Sequence, residues 1–275
     1  MRTLVSASII IVLAAVARGQ DVSFGSNPRE TLEASAVLFG AEIKSRSHFG
    51  FDEHGSRNGE LAFVRDLGMP STVPAIGLQG TVNGGEFGWL GGEVLGFQEE
   101  GDLAFLSRER QQGNITFQPL DLIEGGARVI WGGLHYGYEV RVRLFDALDL
   151  AASPTLGFGW FDVEAKAQRL FPQFTTVLGG HATAFVITPG ARLQVEAFEL
   201  VRVGADFETG LTGLRFVVST PHVELWDRVR VFVGFNYLGV DATFGWRLAA
   251  THIEGDGKAV DLRLRGFDAS LGVRF

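Results

Sequence analysis

The chain has 275 residues and no cysteine, which excludes a disulfide scaffold and thiolate chemistry. Its formal net charge of −8 at pH 7 argues against attraction to nucleic acid phosphates. Lysine occurs only at positions 44, 166 and 258, and the other basic residues are arginines. Arginine suits sites away from bulk water where a cation binds carboxylates, although a GC-rich genome would give the same bias.

The N-terminal stretch MRTLVSASIIIVLAAVARGQ has a charged start at Arg2, an apolar run from Leu4 to Val16 and small residues after it. This pattern predicts a secretory signal peptide over residues 1–19, with cleavage after Ala17 or Gly19. The apolar run is too short for a comfortable membrane span, so an uncleaved anchor is the weaker alternative. The mature domain is expected to comprise residues 20–275.

Period-two alternation recurs through the rest of the chain. In residues 182–197, Phe185 and Leu193 share one face and Arg192 lies on the other, with Val186 as an exception. A strand sorts such residues onto two faces, whereas a helix scatters them. Ten strands are predicted, at about 31–44, 72–82, 86–97, 127–144, 147–161, 182–197, 200–210, 214–225, 228–240 and 259–275.

The connections between these strands alternate in length. Short turns are expected at Asn83-Gly84-Gly85, Phe145-Asp146, Phe198-Glu199 and Trp226-Asp227, and longer segments at 45–71, 98–126, 162–181 and 241–258. The polar faces mix Gly, Arg, Glu and His rather than the Lys, Glu and Thr typical of exposed strands. These features predict an all-β fold, an antiparallel up-and-down transmembrane β-barrel of about ten strands, with eight or twelve as alternatives. A soluble periplasmic barrel around an apolar ligand would have the two faces reversed.

Aromatic residues near strand ends suit the interfacial girdles of such a barrel, although aromatics also favour strands in general. The expected girdle residues are Trp89, Phe97, Trp160, Phe161, Trp226, Tyr237 and Phe275.

The chain ends in alternating apolar residues, Phe267, Ala269, Leu271, Val273 and Phe275. This ending resembles the C-terminal assembly signal of bacterial outer-membrane β-barrel proteins, which the barrel insertion machinery reads. The stretches GELAFVRDLGMPSTVPAIGLQG, HYGYEVRV and VFVGFNYLGVDATF resemble a group of small, largely uncharacterised outer-membrane barrels.

The resemblance implies a place in the cell outer membrane, with membrane lipids and the barrel-assembly machinery as partners. In the resembled group, a loop with an Arg-Asp-Leu-Gly segment, here Arg65 to Gly68, precedes the second strand. A fold does not fix a function, so the resemblance implies little about activity.

The last predicted strand changes phase. Val260, Leu262 and Leu264 alternate out of step with Phe267 through Phe275. Either a bulge lies near Gly266, or the residues before it rise above the membrane. We expect the second arrangement, because residues 265–275 already suffice to cross.

The inward faces of the predicted strands carry charges of both signs. The expected lumen residues are His135, Glu139, Arg141, Arg143, Asp149, Arg192, Gln194, Glu196, Arg202, Asp206, Glu208, His222, Glu224, Arg228, Arg230, Asp268 and Arg274. A ten-stranded barrel is only slightly wider than one filled by its side chains, so these groups are expected to pair and to close the lumen.

No catalytic, cofactor or metal motif stands out. His135 with Glu139, and His222 with Glu224, are the candidate pairs for hydrolysis, but neither forms a recognisable triad. The segment from His48 to His54 lacks metal-ligand spacing. We therefore expect no cofactor and a non-enzymatic structural or surface-interaction role, with a partner outside the cell at the long loops. A narrow pore for small solutes is the alternative, and a lipid- or peptide-hydrolysing barrel enzyme is the second alternative.

Overall fold

Ten antiparallel strands form a closed barrel in a computed structural model of the chain, which describes residues 22–24, 31–51, 61–112, 115–144, 148–171, 176–211, 222–255 and 258–275. The barrel strands are β1 (Thr31–Ile43), β2 (Thr72–Asn83), β3 (Trp89–Glu100), β4 (Leu122–Gly137), β5 (Leu148–Phe171), β6 (Thr176–Ala197), β7 (Val201–Thr209), β8 (His222–Tyr237), β9 (Val240–Gly255) and β10 (Lys258–Arg274). Each strand pairs with the next along the chain, and β10 pairs with β1 to close the ring. The predicted fold class is therefore confirmed, whereas the predicted signal peptide lies outside the described residues. Among these residues, no helix is long and apolar enough to cross a membrane.

Within the described residues, seven shorter strands extend or cap the barrel. Val140–Leu144 continues β4 beyond a break at Tyr138 and Glu139, and it pairs with the start of β5 and with Val22–Phe24. The remaining short strands are His48–Phe51, Leu61–Ala62, Ala104–Phe105, Arg110–Gln112 and Ile115–Phe117, with His48–Phe51 paired to β10. The segments 44–71 and 101–121 therefore contain strand structure of their own.

Three predicted connections are wrong. Trp226-Asp227 is not a turn, because β8 runs through it; the chain reverses at Leu238 and Gly239, which have φ of 52° and 80°. The predicted loop 241–258 is mostly strand β9. The predicted strand 214–225 lies largely outside the described residues, and its last four positions begin β8.

The predicted loop 162–181 is also mostly strand. β5 continues to Phe171 and β6 begins at Thr176. Both strands continue beyond the stretch in which the outward residues are apolar. In the added stretch, apolar residues no longer make up most of the outward face. The predicted turns at Asn83-Gly84-Gly85 and Phe198-Glu199 are confirmed, and that at Phe145-Asp146 lies outside the described residues.

We call the barrel end with the short turns 84–88, 198–200 and 238–239 the lower end, and the opposite end the upper end. Strand β10 shows how the wall changes between them. In its lower half, Phe267 and Leu271 point outward and are each 63% exposed, while Asp268 points inward and is 1% exposed. In its upper half, Leu264 points inward and is 2% exposed, while Arg265 points outward and pairs with Glu42.

The same reversal occurs on β5. Leu156 and Phe158 face outward in the lower half, whereas Lys166 faces outward in the upper half and binds Glu100 at 3.0 Å. Inward-facing Val163 is fully buried in the upper half. The wall is thus apolar outside in its lower half and charged outside in its upper half.

No bulge accompanies the reversal on β10. Its pairing with β9 and β1 continues without a register shift through Gly266. Val260, Leu262 and Leu264 are on the same inward face as Asp268 and belong to the buried core. The strand itself is therefore regular. The apolar residues move from its outward to its inward face because the surroundings of the wall change along it.

The upper half of the barrel contains an apolar core. Inward residues of the wall, such as Phe39 and Trp131, pack edge to face with their ring centroids 6.3 Å apart. Side chains from the upper connections enter the same cluster: Phe63, Leu67 and Phe117 are fully buried. The upper connections therefore fold over the lumen and pack inside the wall.

The prediction of an outward-facing girdle is wrong for four of its seven residues. Trp89, Phe97, Phe161 and Trp226 are buried inside the barrel. Tyr237 and Phe275 do face outward at the lower end, 69% and 76% exposed. The strand-end position of an aromatic residue does not determine which face it occupies, because that depends on its parity along the strand.

Two leucines on β3 test the position of the core. We expect Leu95→Ala, which empties a fully buried site, to lower the free energy of unfolding by about 2–5 kcal/mol. Leu90 is 53% exposed on the outer face, where detergent covers it in the folded protein, so Leu90→Ala loses transfer free energy but leaves no cavity and should cost about 1–2 kcal/mol. Urea unfolding of the detergent-refolded protein, followed by tryptophan fluorescence, measures both. Equal losses would contradict a core placed inside the upper barrel.

Candidate functional site

The lower half of the lumen contains charged side chains of both signs, which we call the charged layer. Among the described residues it comprises Glu33, Glu93, His135, Glu139, Arg141, Asp149, Arg192, Glu196, Arg202, Asp206, Glu208, Arg228, Arg230, Asp241, Arg247, Asp268 and Arg274. Lysine is absent from this set. The planar guanidinium of arginine can bind two carboxylates at once, which suits a crowded interior.

Arg247 on β9 lies at the centre of the charged layer. Its side chain is 3% exposed and donates to both carboxylate oxygens of Glu93 at 2.9 Å and to Asp268 at 3.2 Å. Arg228 forms a second ion pair with Glu93, and Arg230 pairs with Asp268 at 2.8 Å. Because Glu93 lies on β3, four strands from β9 around the barrel, these ion pairs cross the lumen.

A second group of ion pairs lies nearer the lower end. Arg202 bonds with Asp241 and lies 3.3 Å from Glu33, and Arg274 also lies 3.3 Å from Glu33. Arg274 reaches Glu196 at 3.6 Å. Each arginine therefore has at least two carboxylates within reach, which compensates the cost of removing it from water.

Arg141 marks the lowest part of the layer. It lies 2.9 Å from Glu139 and 3.3 Å from Asp149. Arg143, on the same short strand, binds Asp149 at 2.9 Å but is 56% exposed, so it lies at the rim of the layer.

Trp89 and Arg192 form a cation–π contact inside the charged layer. The Arg192 guanidinium lies 4.2 Å from the centre of the Trp89 ring, and its Nε donates to Asp206 at 2.7 Å. Trp89 Nε1 donates to the hydroxyl of Ser153 at 3.0 Å. Trp89 thus fills space within the lumen and has its polar atom satisfied there.

The candidate hydrolytic pairs are not brought together as such. His135 Nδ1 lies 3.3 Å from Glu208, whereas Glu139 bonds with Arg141. Glu224 lies on the outer wall of the upper half, 3.2 Å from His252. The side chain of His222 is outside the described part of the structure.

The free space inside the charged layer is small. A cavity of about 100 Å³ lies between residues that include Glu93, His135, Arg192 and Arg228. At about 10–15 Å³ for each water molecule, it has room for several waters.

Four members of the charged layer are not among the lumen residues predicted from the sequence: Glu33, Glu93, Asp241 and Arg247. Asp241 and Arg247 fall in the segment interpreted as a loop. The alternation of Asp241, Thr243 and Arg247 with apolar residues between them could have identified β9.

The Arg-Asp-Leu-Gly segment is a structural turn above the apolar core. Asp66 is 1% exposed and accepts from the Ala62 N–H, Arg65 and Arg110 at 2.8–3.0 Å. Burial alone would raise the pKa of the Asp66 carboxyl, but these hydrogen bonds and the two arginine charges hold it below its usual value. Gly68 has φ of 66°, and a Cβ there would lie 2.0 Å from the Asp102 carbonyl oxygen. This segment therefore holds the two upper connections together.

On the upper outer wall, Asp162 organises a small polar group. It accepts hydrogen bonds from Thr183 at 2.6 Å and lies 2.6 Å from His181 Nε2. Burial works to raise the pKa of Asp162, but these contacts and the charge of Arg128 keep it lowered. Thr183 and Asp162 meet the same ring nitrogen of His181, an arrangement that differs from a catalytic triad, in which the two partners bind opposite nitrogens.

Of the three comparisons with known proteins, only the comparison with solved structures gives matches. No family model and no curated protein sequence matches the chain. Among solved structures, the outer membrane protease OmpT from Escherichia coli matches 92% of this chain and 99% of its own, with a TM-score of 0.44 and 9% identity. The Pseudomonas putida toluene transporter TodX covers 90% of each chain, with a TM-score of 0.31 and 10% identity. At these values the matches say nothing about activity.

The charged layer can be tested with two arginine substitutions. We expect Arg247→Ala to lower the free energy of unfolding by about 3 kcal/mol, because it leaves buried carboxylates less compensated. Arg265 makes a similar two-pronged contact with Glu42 on the outer wall, but that pair is exposed, so Arg265→Ala should leave the unfolding midpoint unchanged. Urea titration of both variants in one detergent is the measurement. An Arg265→Ala loss as large as that of Arg247→Ala would contradict a structural role specific to the charged layer.

Proposed function

We propose that the chain is an outer-membrane barrel with a closed lumen, which acts without catalysis through its upper wall and connections. The observation that carries this proposal is the filling of the lumen by two different layers. Paired charges occupy the lower half, and apolar side chains from the wall and from segments 44–71 and 101–121 occupy the upper half. A solute crossing the barrel would have to break both layers.

The outward face of the lower half supports the place in the membrane. On β5, Leu150, Leu156, Phe158 and Trp160 lie on the outward face between positions 150 and 160. Eleven residues match the 9–11 that a tilted strand needs to cross the hydrocarbon layer. A closed barrel also leaves no unpaired backbone edge in lipid.

Two features of the sequence fit this location. The predicted signal peptide would direct export, and the outward-facing Phe267, Leu271, Val273 and Phe275 would offer the barrel-assembly machinery its C-terminal signal. The backbone of Phe275 exchanges two hydrogen bonds with Leu32, at 3.1 and 2.9 Å. The signal would thus form the seam at which the barrel closes.

The upper half provides the surface for the proposed role. Short turns face the periplasm and longer connections face the exterior in bacterial barrels of this kind, which would place the charged outer wall and the upper connections outside the cell. With the lumen filled, an interaction partner would meet this wall and the segments 45–71 and 98–126.

Conductance in planar lipid bilayers tests the closed lumen. We expect the purified protein to give no discrete conductance steps, under conditions in which a general porin gives them. Arg228→Ala, which removes one cross-lumen cation, should remain silent because the apolar layer above it is intact. Discrete steps from the wild-type chain, with an ion selectivity altered by Arg228→Ala, would contradict the proposal and favour the narrow pore.

A further inference from the structure

A cluster of metal-ligand side chains lies on the outer wall of the upper half, away from the charged layer. Glu224 on β8 and His252 and Glu254 on β9 place one donor atom each within 4.8 Å of one another. His252 Nε2 lies 3.2 Å from Glu224 Oε2 and 3.8 Å from Glu254 Oε2. A single ring nitrogen therefore faces two carboxylates from two strands.

A β-bulge brings Glu224 into this cluster. Val223 pairs with Ile253 and Leu225 pairs with His252, so Glu224 is the extra residue between them. Bulges redirect a side chain from the regular alternation of a strand. Here the bulge leaves the Glu224 carboxylate beside the imidazole of the neighbouring strand.

The second ring nitrogen of His252 also has a suitable neighbour. Nδ1 is buried without a hydrogen bond and lies 3.8 Å from Asp261 Oδ2 on β10. Arg263 holds Asp261 with bonds of 3.1 and 3.2 Å. Metal-binding histidines commonly direct their other N–H to a carboxylate, which fixes the tautomer.

We propose that Glu224, His252 and Glu254 bind a divalent transition-metal ion, with zinc as the best fit. Donors arranged tetrahedrally at about 2.0–2.1 Å from zinc lie about 3.3 Å from one another, close to the two donor distances from His252. One imidazole with two carboxylates suits zinc and its first-row neighbours better than calcium or magnesium, which prefer oxygen ligands alone. Water would complete the coordination, since the Glu224 and Glu254 side chains are 46% and 37% exposed.

The proposal does not rest on the lumen being closed. The site is on the outside of the wall, and binding can be measured in detergent whatever the barrel conducts. A bound ion would join β8 to β9 near their upper ends, where it would stabilise this edge of the wall.

Calorimetric titration of zinc chloride into the untagged, chelator-treated full chain tests the site. We expect one zinc ion per chain, at least a 10-fold loss of affinity in His252→Ala, and about a 10-fold loss in Asp261→Asn through the lost orientation of the ring. His181→Ala is the matched control, because His181 is an exposed histidine on the same upper wall, with its Nε2 atom 2.6 Å from the carboxylate of Asp162 and away from the proposed site. Its affinity should equal that of the wild type.

Heat-modifiable migration on a gel verifies that each variant is folded, and Glu254→Gln replaces His252→Ala if the latter does not fold. Weaker zinc binding by a folded Glu254→Gln protein supports the site. Three results would overturn it: no saturable zinc binding by the wild type, full binding by the folded ligand variants, or an equal loss in His181→Ala.

Discussion

The barrel depends on a reversal of polarity part-way along its wall. A strand has two faces, and the side that meets hydrocarbon must be apolar, whereas the side that meets water can be charged. On β5 and β10 the outward residues change from Leu156 and Phe267 to Lys166 and Arg265, and the inward residues change in the opposite sense. Two solvents around one continuous sheet would explain both changes. In this account the upper half has apolar residues inside and charged residues outside, as in soluble proteins. The lower half has the opposite arrangement.

The inverse arrangement leaves the lower lumen with charges that must compensate one another. Arg247 satisfies Glu93 and Asp268 together, and Arg202 binds both Asp241 and Glu33. The upper lumen does not require such charge compensation, because Phe63, Leu67 and Phe117 enter it from the connections and remove apolar area from water. The described side chains thus place ion pairs in the lower lumen and an apolar core in the upper lumen.

Period-two alternation alone predicts the barrel, its antiparallel order and most of the lower strands. It does not predict the upper strands, because a window that spans the reversal contains two patterns of opposite phase. Val260 and Leu264 therefore alternate out of step with Phe267, although all three belong to one regular strand. Ion pairs such as Glu93 with Arg247 could not be predicted, since strand parity gives the face of a residue but not its partner across the lumen. The cluster of Glu224, His252 and Glu254 depends on a bulge at Glu224, which leaves no distinct signal in the sequence.

Labelling of single cysteines in intact cells tests the two-solvent account most directly, and the chain has no cysteine of its own. Lys166 and Leu156 point outward from the same strand and are 60% and 58% exposed, so the structure alone gives them equal access. With a membrane-impermeant maleimide, Lys166→Cys should react in intact cells, and Leu156→Cys should react only after denaturation. Equal labelling of the two positions in folded protein would show that the lower half is not in lipid. That result would contradict the account.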